Sequence, residues 1–212
     1  MSHRFAIASQ KVVTPEGVHP AAIIINNEVI ERVTDISNVA CTTHVKDYGN
    51  LVIGPGLIDS HIHINEPGRS DWEGFATATQ AAAAGGITTL IDMPLNSCPV
   101  TIDRDSLEQK IAAAQGKCWV DVGFYGGLVP GNTNQIQELI DAGVFGIKAF
   151  LCDSGLVEFP ASSSIELNLA MPILARANLP LLVHAELTDD QAPAMTRPNS
   201  FAQFVQSRPI GC

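Results

Sequence analysis

The sequence predicts an α/β fold: part of a (β/α)8 TIM-type barrel, about five of its eight strand–helix units, preceded by a small β segment. Two observations favour this fold. From residue 51 onward, short apolar strands alternate with helical stretches, as a parallel sheet requires. Polar side chains also cluster near the carboxyl ends of these strands, where barrel enzymes carry their chemistry. An open doubly wound sheet fits the alternation as well, but the Gly-x-Gly-x-x-Gly loop of dinucleotide-binding sheets is absent.

Residues 1–50 are predicted to form the amino-terminal part of a small β-sandwich domain, and residues 51–212 the incomplete barrel. The histidines of residues 1–50, which are His3, His19 and His44, have no partner at metal-ligand spacing and are expected at the surface. Turn-forming residues separate four predicted strands, over residues 4–13, 21–25, 29–33 and 44–48.

The barrel segment is predicted to hold five strands, with a helix after each of the first four. Ser70 followed by Glu73 is a capping-box pattern, so the first helix is expected to begin near residue 71. Pro172 is an interior defect that can kink the fourth helix. A polar, partly helical tail is expected over residues 187–212. The predicted strands are 57–64, 87–93, 119–125, 144–151 and 179–184, and the predicted helices are 71–84, 103–114, 132–142 and 164–177.

Two histidines, His61 and His63, stand at the end of the first barrel strand. Because side chains on a strand alternate between faces, both imidazoles are expected on one face, with Ile62 and Ile64 on the other. Two neighbouring imidazoles can hold one metal ion. Two polar residues on a half-exposed strand would give the same pattern, and the strand-end context favours the metal site.

Lys148 lies in an apolar strand, where a charged ammonium is costly without a partner. Three outcomes are open: an ion pair with Asp92 or Asp153, a lowered pKa, or a carbamate formed with carbon dioxide that can bridge two metal ions. His184 ends the fifth strand and is a candidate ligand of a second ion. Its alternative is a core histidine bonded to Glu186 or to a backbone carbonyl.

Composition narrows the range of partners. The chain has 212 residues and a formal net charge of −10, which argues against nucleic acid or an anionic membrane as a partner. Its five cysteines are scattered without a C-x-x-C pair, which indicates buried or incidental thiols in a reducing compartment. The first residues lack the apolar core of a signal peptide, and no run of residues is apolar enough to span a bilayer. A cytoplasmic location is therefore expected.

The ordered motifs of the barrel segment resemble those of the cyclic amidohydrolases, and within them the allantoinases, over nearly the whole chain. The resemblance rests on Gly56-Leu57-Ile58-Asp59-Ser60-His61-Ile62-His63, Glu66-Pro67-Gly68, Trp72-Glu73-Gly74, Ala83-Ala84-Gly85-Gly86-Ile87-Thr88-Thr89, Asp92-Met93-Pro94-Leu95-Asn96 and Lys148-Ala149-Phe150.

The resemblance implies a metal-dependent barrel beside a small β-sandwich, with two divalent ions, most simply zinc. It implies that His61 and His63 bind one ion, that carboxylated Lys148 bridges the pair, and that His184 binds the second. It also implies metal-assisted opening of the allantoin ring to allantoate in purine catabolism, and a homo-oligomer, a tetramer, for the full-length form.

Three further residues are candidates for contact with the substrate. Relatives acting on dihydroorotate-like substrates carry an arginine where this chain has Asn65, and the loss of that charge fits a neutral ring. Asn96 follows an inserted leucine that resembles the allantoinase pattern, and Ser154 follows the fourth strand. Ordinary turn chemistry explains each of them as well.

The chain departs from the family in lacking a sixth-strand histidine and the catalytic aspartate of the last strand, so no catalytic acid or base is assigned. We therefore expect a carboxy-terminally truncated chain that is poorly soluble and inactive on its own, because an incomplete barrel leaves edges and apolar surface exposed. Two alternatives stay open: a dihydropyrimidinase or hydantoinase type of cyclic amidase, and a non-catalytic fragment that associates with full-length subunits.

Overall fold

A computed structural model describes residues 4–186 and 200–206, apart from the side chain of Gln206. The chain divides into two units, Met1–Gly56 and Leu57–Cys212. His3 and most of the predicted tail lie outside the described residues. Among the described helices, none combines the length and the apolar character that crossing a bilayer requires.

The first unit is one sheet with the strand order β3-β2-β1-β4, and β5 pairs with β1. The strands predicted at residues 21–25 and 29–33 pair as a hairpin, β2 with β3, and Asn27 in its turn has the positive φ of 57° that tight hairpins require. The core is small and built from alternate residues of β1 and β2, among them Ala6, Ala8 and Ile24. The strands are β1 (Arg4–Thr14), β2 (Gly17–Asn26), β3 (Val29–Thr34), β4 (His44–Asp47) and β5 (Val52–Ile53).

The second unit carries the predicted alternation of strands and helices. A single turn of 3₁₀ helix, Thr133–Gln135, leads into the third α-helix. The strands are β6 (Leu57–Ile62), β7 (Ile87–Asp92), β8 (Asp121–Phe124), β9 (Gly126–Gly127), β10 (Ile147–Phe150) and β11 (Leu181–His184), and the helices are α1 (Phe75–Ala84), α2 (Arg104–Ala114), α3 (Ile136–Asp141), α4 (Ser164–Ala177) and α5 (Phe201–Gln206).

The strands of the second unit are parallel and follow one another in sequence order. One sheet has the order β6-β7-β8 and the other β9-β10-β11. Only Tyr125 separates β8 from β9, so the two sheets continue each other along the chain. A doubly wound sheet reverses its strand order halfway, whereas a barrel adds each strand beside the last. The described strands therefore form a partial α/β structure with barrel-like winding.

Each strand of this unit has one face toward the helices and one away from them. Ile64 and Leu90 pack with Phe75 of α1, and Ile147 packs with Leu139 of α3 and Leu174 of α4. The opposite face carries a second cluster of aromatic and apolar side chains. That cluster contains Ile91, Met93, Leu95, Val100, Tyr125, Val129 and Phe159, with Phe150 and Leu182 against it.

The first helix begins later than the sequence predicts. It starts at Phe75 with Gly74 as its N-cap, not near residue 71. The cap comes from the preceding loop, because the Glu66 carboxylate accepts a hydrogen bond of 3.0 Å from the Phe75 amide. Glu73 contacts the Thr77 hydroxyl instead. A carboxylate at the amino end of a helix also suits the helix dipole.

Candidate metal centre

His61 and His63 lie side by side at the end of β6, with ring centroids 5.6 Å apart and ring planes tilted by 53°. Ile62 and Ile64 face the helix layer, as the period-two pattern predicts. His61 is exposed and His63 is half-buried. Burial lowers the pKa of His63, and neighbouring positive charges, that of Lys148 among them, lower it further. A lowered pKa keeps the imidazole neutral, which is the form that binds a metal ion.

Lys148 lies on β10 with only 4% of its surface exposed. Its neighbours Ile147 and Ala149 pack against the helices, so Lys148 and Phe150 share the opposite face. Its Nζ lies 5.0 Å from the centre of the Phe150 ring. Burial lowers the pKa of Lys148. Over residues 4–186 and 200–206, no carboxylate lies within ion-pair distance of Lys148, so the predicted alternative of a pair with Asp92 or Asp153 finds no support there.

His184 ends β11, directly beside Phe150 in the register of the two parallel strands. The rings of Phe150 and His184 stack at 4.9 Å with an angle of 2° between their planes. His184 is exposed, and its Nε2 lies 3.4 Å from Glu186 Oε2. The stacking fixes the plane of the imidazole. The contact with Glu186 is the one expected from the alternative prediction, in which His184 is a core histidine bonded to Glu186. His184 is therefore a surface-accessible, oriented imidazole and not a core residue.

Asp92 at the end of β7 faces the helices and is fully buried, as is Lys110 of α2. The Asp92 Oδ2 and Lys110 Nζ atoms lie 2.5 Å apart. Asp92 Oδ1 also accepts a hydrogen bond of 2.6 Å from the Ile64 amide, and the Met93 amide donates to the Ile62 carbonyl at 2.8 Å. The Asp92 carboxylate and the Met93 amide together thus hold the backbone on both sides of His63 against the next strand.

Asn96 and Asn65 lie close to the histidine pair. Asn96 has a positive φ of 78°, and its Nδ2 lies 3.4 Å from His63 Nδ1. Asn65 is 7% exposed, and its side-chain Oδ1 is buried without a hydrogen-bond partner in the described part of the chain. A buried polar atom without a partner is costly, so this oxygen is a candidate contact for a bound ligand.

Ser154 is occupied within its own loop. Its hydroxyl donates to the Phe159 carbonyl at 2.6 Å and accepts from the Leu156 amide at 3.2 Å. Asp153 caps the same loop by accepting a hydrogen bond of 2.9 Å from the Gly155 amide. These bonds are the turn chemistry that the sequence allows as the alternative for Ser154.

Sequence reasoning missed Lys110 and Cys152 as neighbours of these residues, whereas it named Glu186 as a possible partner of His184. Lys110 had a readable signal, because it stands three residues after Leu107 and four before Ala114, on the apolar side of α2. The thiol of Cys152, the His184 imidazole and a Glu186 carboxylate oxygen all lie within 4.8 Å of one another. That contact depends on the register of β10 and β11, which the sequence does not reveal.

The site as a whole offers imidazoles, a buried lysine amine and carboxamides on or after parallel strands. Imidazole nitrogens and oxygen donors suit divalent ions such as Zn²⁺. A buried amine that has no carboxylate partner among the described residues also suits conversion to an anion by carbon dioxide, because the product removes a positive charge that burial disfavours.

The family described as the amidohydrolase family matches residues 52–197. The probable allantoinase of Oryza sativa subsp. japonica is 45% identical over 215 residues, covering 97% of this chain and 42% of the relative. The allantoinase of Saccharomyces cerevisiae is 40% identical over 219 residues, covering 96% of this chain and 47% of the relative. The chain thus spans somewhat under half the length of these curated relatives.

Solved structures give the same picture. The L-hydantoinase (dihydropyrimidinase) from Arthrobacter aurescens superposes with a TM-score of 0.85 at 29% identity, covering 97% of this chain and 47% of that one. The dihydropyrimidinase from Brevibacillus agri NCHU1002 superposes with a TM-score of 0.73 at 25% identity, covering 87% of this chain and 40% of that one.

Proposed function

The chain belongs to the amidohydrolase family, and from this premise we propose that it carries part of the metal centre of an allantoinase, which hydrolyses the ring amide of allantoin to allantoate. The observation that carries the proposal is the position of His61, His63, Lys148 and His184 on or directly after three parallel strands, with His63 near enough to Lys148 for that charge to lower its pKa. The similarity to allantoinases at 40–45% identity favours allantoin as the substrate of the whole protein.

The proposed metal centre holds two divalent ions, zinc in the simplest case. His61 and His63 are the proposed ligands of one ion and His184 of the other, with Lys148 as the bridging carbamate. The donor set fits: the pKa of His63 is lowered by burial, and the buried Lys148 amine has no carboxylate beside it in the described residues. When bound, two such metal ions would polarise a carbonyl group and lower the pKa of a water molecule.

The chain's own residues hold these ligands in place. Phe150 fixes the plane of the His184 ring by stacking, and Asn96 contacts His63 Nδ1, the nitrogen on the far side of the ring from Nε2. Such contacts orient the side chains of the proposed ligands. Asp92, paired with Lys110, holds the Ile64 amide after His63, and the Met93 amide holds the Ile62 carbonyl before it.

Asn65, Asn96 and Ser154 are the proposed contacts to the substrate. Asn65 carries the strongest support, since its Oδ1 is buried without a hydrogen-bond partner in the described part of the chain. A carboxamide oxygen can accept a hydrogen bond from a ring N–H of a neutral cyclic amide. Ser154 has the weakest support, because its hydroxyl already donates to Phe159. No catalytic acid or base is proposed.

Several broader assignments belong to the same proposal. Residues 1–50 are assigned to a small β-sandwich domain and residues 51–212 to about five of the eight units of a barrel. A homo-oligomer, specifically a tetramer, is proposed for the longer form. A cytoplasmic location is supported by the scattered cysteines, while a relative from Aquarana catesbeiana is named as mitochondrial.

The test combines metal analysis with substrate turnover. The chain is expressed with and without added bicarbonate, and bound zinc is counted for the wild type and for Lys148→Ala. We expect bicarbonate to raise the bound metal of the wild type and to leave Lys148→Ala unchanged. Lys46→Ala is the matched control, because Lys46 is an exposed lysine of the first unit. If the amount of bound metal changes neither with added bicarbonate nor with the Lys148→Ala substitution, the carbamate centre is contradicted.

Turnover of allantoin and of dihydrouracil is then compared on the same metal-loaded samples and on the longer protein, if the gene encodes one. We expect the longer protein to prefer allantoin. A preference for dihydrouracil would replace the proposal with the dihydropyrimidinase alternative. Failure of every form to bind metal would favour a non-catalytic chain.

A further inference from the structure

Three potential metal ligands lie together where β10 and β11 end, and His184 is one of them. Cys152 comes two residues after the last residue of β10, and Glu186 two residues after the last residue of β11. Their donor atoms and an imidazole nitrogen of His184 lie within 4.8 Å of one another. Cys152 is 8% exposed, whereas His184 is accessible from solvent. The cluster therefore has a buried sulfur at its base and an open side.

The three groups are held close together by the fold. The Leu151 amide donates a hydrogen bond of 3.0 Å to the His184 carbonyl, which ties the ends of the two strands together next to Cys152. Phe150 stacks on the His184 ring, and Glu186 Oε2 lies 3.4 Å from His184 Nε2. Donor atoms around a tetrahedral zinc ion are about 3.5 Å apart. The accessible side chains of His184 and Glu186 need to move inward by only about 1 Å to reach that spacing.

We propose that Cys152, His184 and Glu186 form a binding site for one thiophilic divalent cation, such as Zn²⁺. One thiolate, one imidazole and one carboxylate are a donor set that favours zinc-like ions over magnesium or calcium. Binding replaces the thiol proton of Cys152, which leaves to solvent, by a sulfur–metal bond. The fourth position of such a site is open to solvent.

The new site competes with the proposed allantoinase centre, because the Nε2 atom of His184 can bind only one ion at a time. The inference rests on the proposed function only in this competition, since the three donors are present whether or not the chain is an enzyme. A cation held by Cys152 draws His184 away from the carbamate-centred pair. The two sites also differ in their chemistry: one requires Lys148 and carbon dioxide, and the other requires the Cys152 thiolate.

The experiment titrates the chain with Co²⁺ in buffer depleted of carbon dioxide and follows the thiolate-to-cobalt charge-transfer band. We expect the wild type to show the band, Lys148→Ala to keep it, and Cys152→Ser to lose it. Glu186→Gln is expected to weaken Co²⁺ binding about tenfold, through the loss of one anionic ligand. Cys41→Ser is the matched control, because Cys41 is an exposed cysteine of the first unit.

Cys152 is buried, so a second measurement avoids substitution altogether. Alkylation of the cysteines of the wild type is followed peptide by peptide, with and without Zn²⁺. Zinc is expected to slow the alkylation of Cys152 at least tenfold and to leave Cys41 and Cys98 unaffected.

A charge-transfer band that survives in Cys152→Ser, or zinc that fails to protect Cys152, would overturn the inference. So would a band that requires Lys148 and bicarbonate, because the ion would then sit in the carbamate centre. These measurements distinguish a failure of the Cys152 site from a failure of the proposed allantoinase centre. Thiolate-dependent binding without any bicarbonate-dependent metal supports the Cys152 site and contradicts the allantoinase centre.

Discussion

Lys110 and Lys148 are both almost completely buried, at 1% and 4% exposure, yet their surroundings are opposite. Lys110 contacts the Asp92 carboxylate and lies 3.2 Å from the Ser97 hydroxyl. Lys148 has an aromatic ring beside it, and among the described residues no carboxylate lies within ion-pair distance of it. A buried charge persists when it is paired, and it shifts its pKa or reacts when it is not. Lys110 therefore stabilises the fold, and Lys148 is the lysine available for chemistry.

Replacing Lys110 by Met is expected to lower the free energy of unfolding by about 3–5 kcal/mol, because the Asp92 carboxylate is left buried without its partner. Urea unfolding measures the change. Arg104→Met is the matched control on the same helix, since Arg104 pairs with Glu108 in an exposed i,i+4 ion pair. Its effect should be much smaller. Equal losses in the two variants would mean that burial does not strengthen the Asp92–Lys110 pair.

The same pair predicts a dependence of stability on pH. Burial raises the pKa of Asp92 to about 6, against the opposing effect of Lys110, whereas an unfolded aspartate titrates near 4. The folded chain therefore binds the proton more tightly, and stability should fall as pH rises from about 4 to about 6. One pKa unit corresponds to about 1.4 kcal/mol, so the loss is at most about 3 kcal/mol.

Urea unfolding of the wild type and of Asp92→Asn between pH 4 and pH 8 isolates this contribution, since the variant cannot titrate at this position. We expect the wild type to lose stability relative to Asp92→Asn over the lower part of the range and then to level off. A difference that stays constant, or that moves the other way, would show that Lys110 keeps Asp92 ionised throughout.

At the scale of elements, the loops after β6 and β7 are joined closely. The Cys98 amide donates to the Pro67 carbonyl at 2.8 Å, and Arg69 Nη1 donates to the Asn96 carbonyl at 2.9 Å. Gly68 sits at the tightest point, with a φ of 91°, and an added Cβ would lie 2.6 Å from Cys98 atoms. The contact between these loops positions His63 beside Asn96.

Gly68→Ala is therefore expected to lower the free energy of unfolding by more than the strain of a left-handed backbone, because the added Cβ also clashes with Cys98. Gly131 is the matched control, because its φ of 88° is nearly the same and no atom lies within 4 Å of an added Cβ. Gly131→Ala should cost about 1–2 kcal/mol from strain, and Gly68→Ala about 1–3 kcal/mol more from the clash. Thermal or urea unfolding of both variants provides the comparison. Similar losses would mean that the Cys98 loop gives way.

The elements also show what the sequence can reveal. The period-two alternation around His61 and the helix predicted from residue 103 rest on local patterns, and the structure agrees with both. Ile62 and Ile64 pack on the helix side, and Asp103 caps α2 by accepting a hydrogen bond of 2.8 Å from the Ser106 amide. The start of α1 was predicted wrongly because its cap, Glu66, comes from nine residues upstream and competes with the local Ser70 pattern.

The neighbours of the candidate site were harder to predict, because they depend on contacts between elements. Cys152 meets His184 only through the register that places Phe150 opposite His184, whereas Glu186 follows His184 by two residues. Asp92 was noted at a strand end, but its partner lies on the following helix. No local pattern encodes which lysine a buried aspartate selects.

At the scale of the second unit, the two outer strands are each paired on one side in the part of the chain that the structure describes. β6 pairs with β7, and β11 pairs with β10. Leu57 and Ile58 of β6 are 62% and 67% exposed. Unpaired strands with exposed apolar side chains promote edge-to-edge association. This surface is the physical basis for the expectation of poor solubility.

Ile58→Lys is expected to reduce self-association, because a lysine on a strand edge opposes further pairing. Sedimentation velocity over a concentration series measures the shift toward the monomer. Val157→Lys is the control, since Val157 is 94% exposed but lies in a loop away from any strand. If both variants reduce association equally, net charge and not the strand edge governs it.

The sequential order of the parallel strands has a consequence for synthesis in the cell. Within each of the two sheets of the second unit, every described strand after the first pairs with the strand that precedes it in the sequence, so pairing needs no distant later segment. Loop closure over short separations is fast and entropically cheap. The growing polypeptide can therefore add one strand–helix unit after another as it emerges from the ribosome, in the order in which the codons are read.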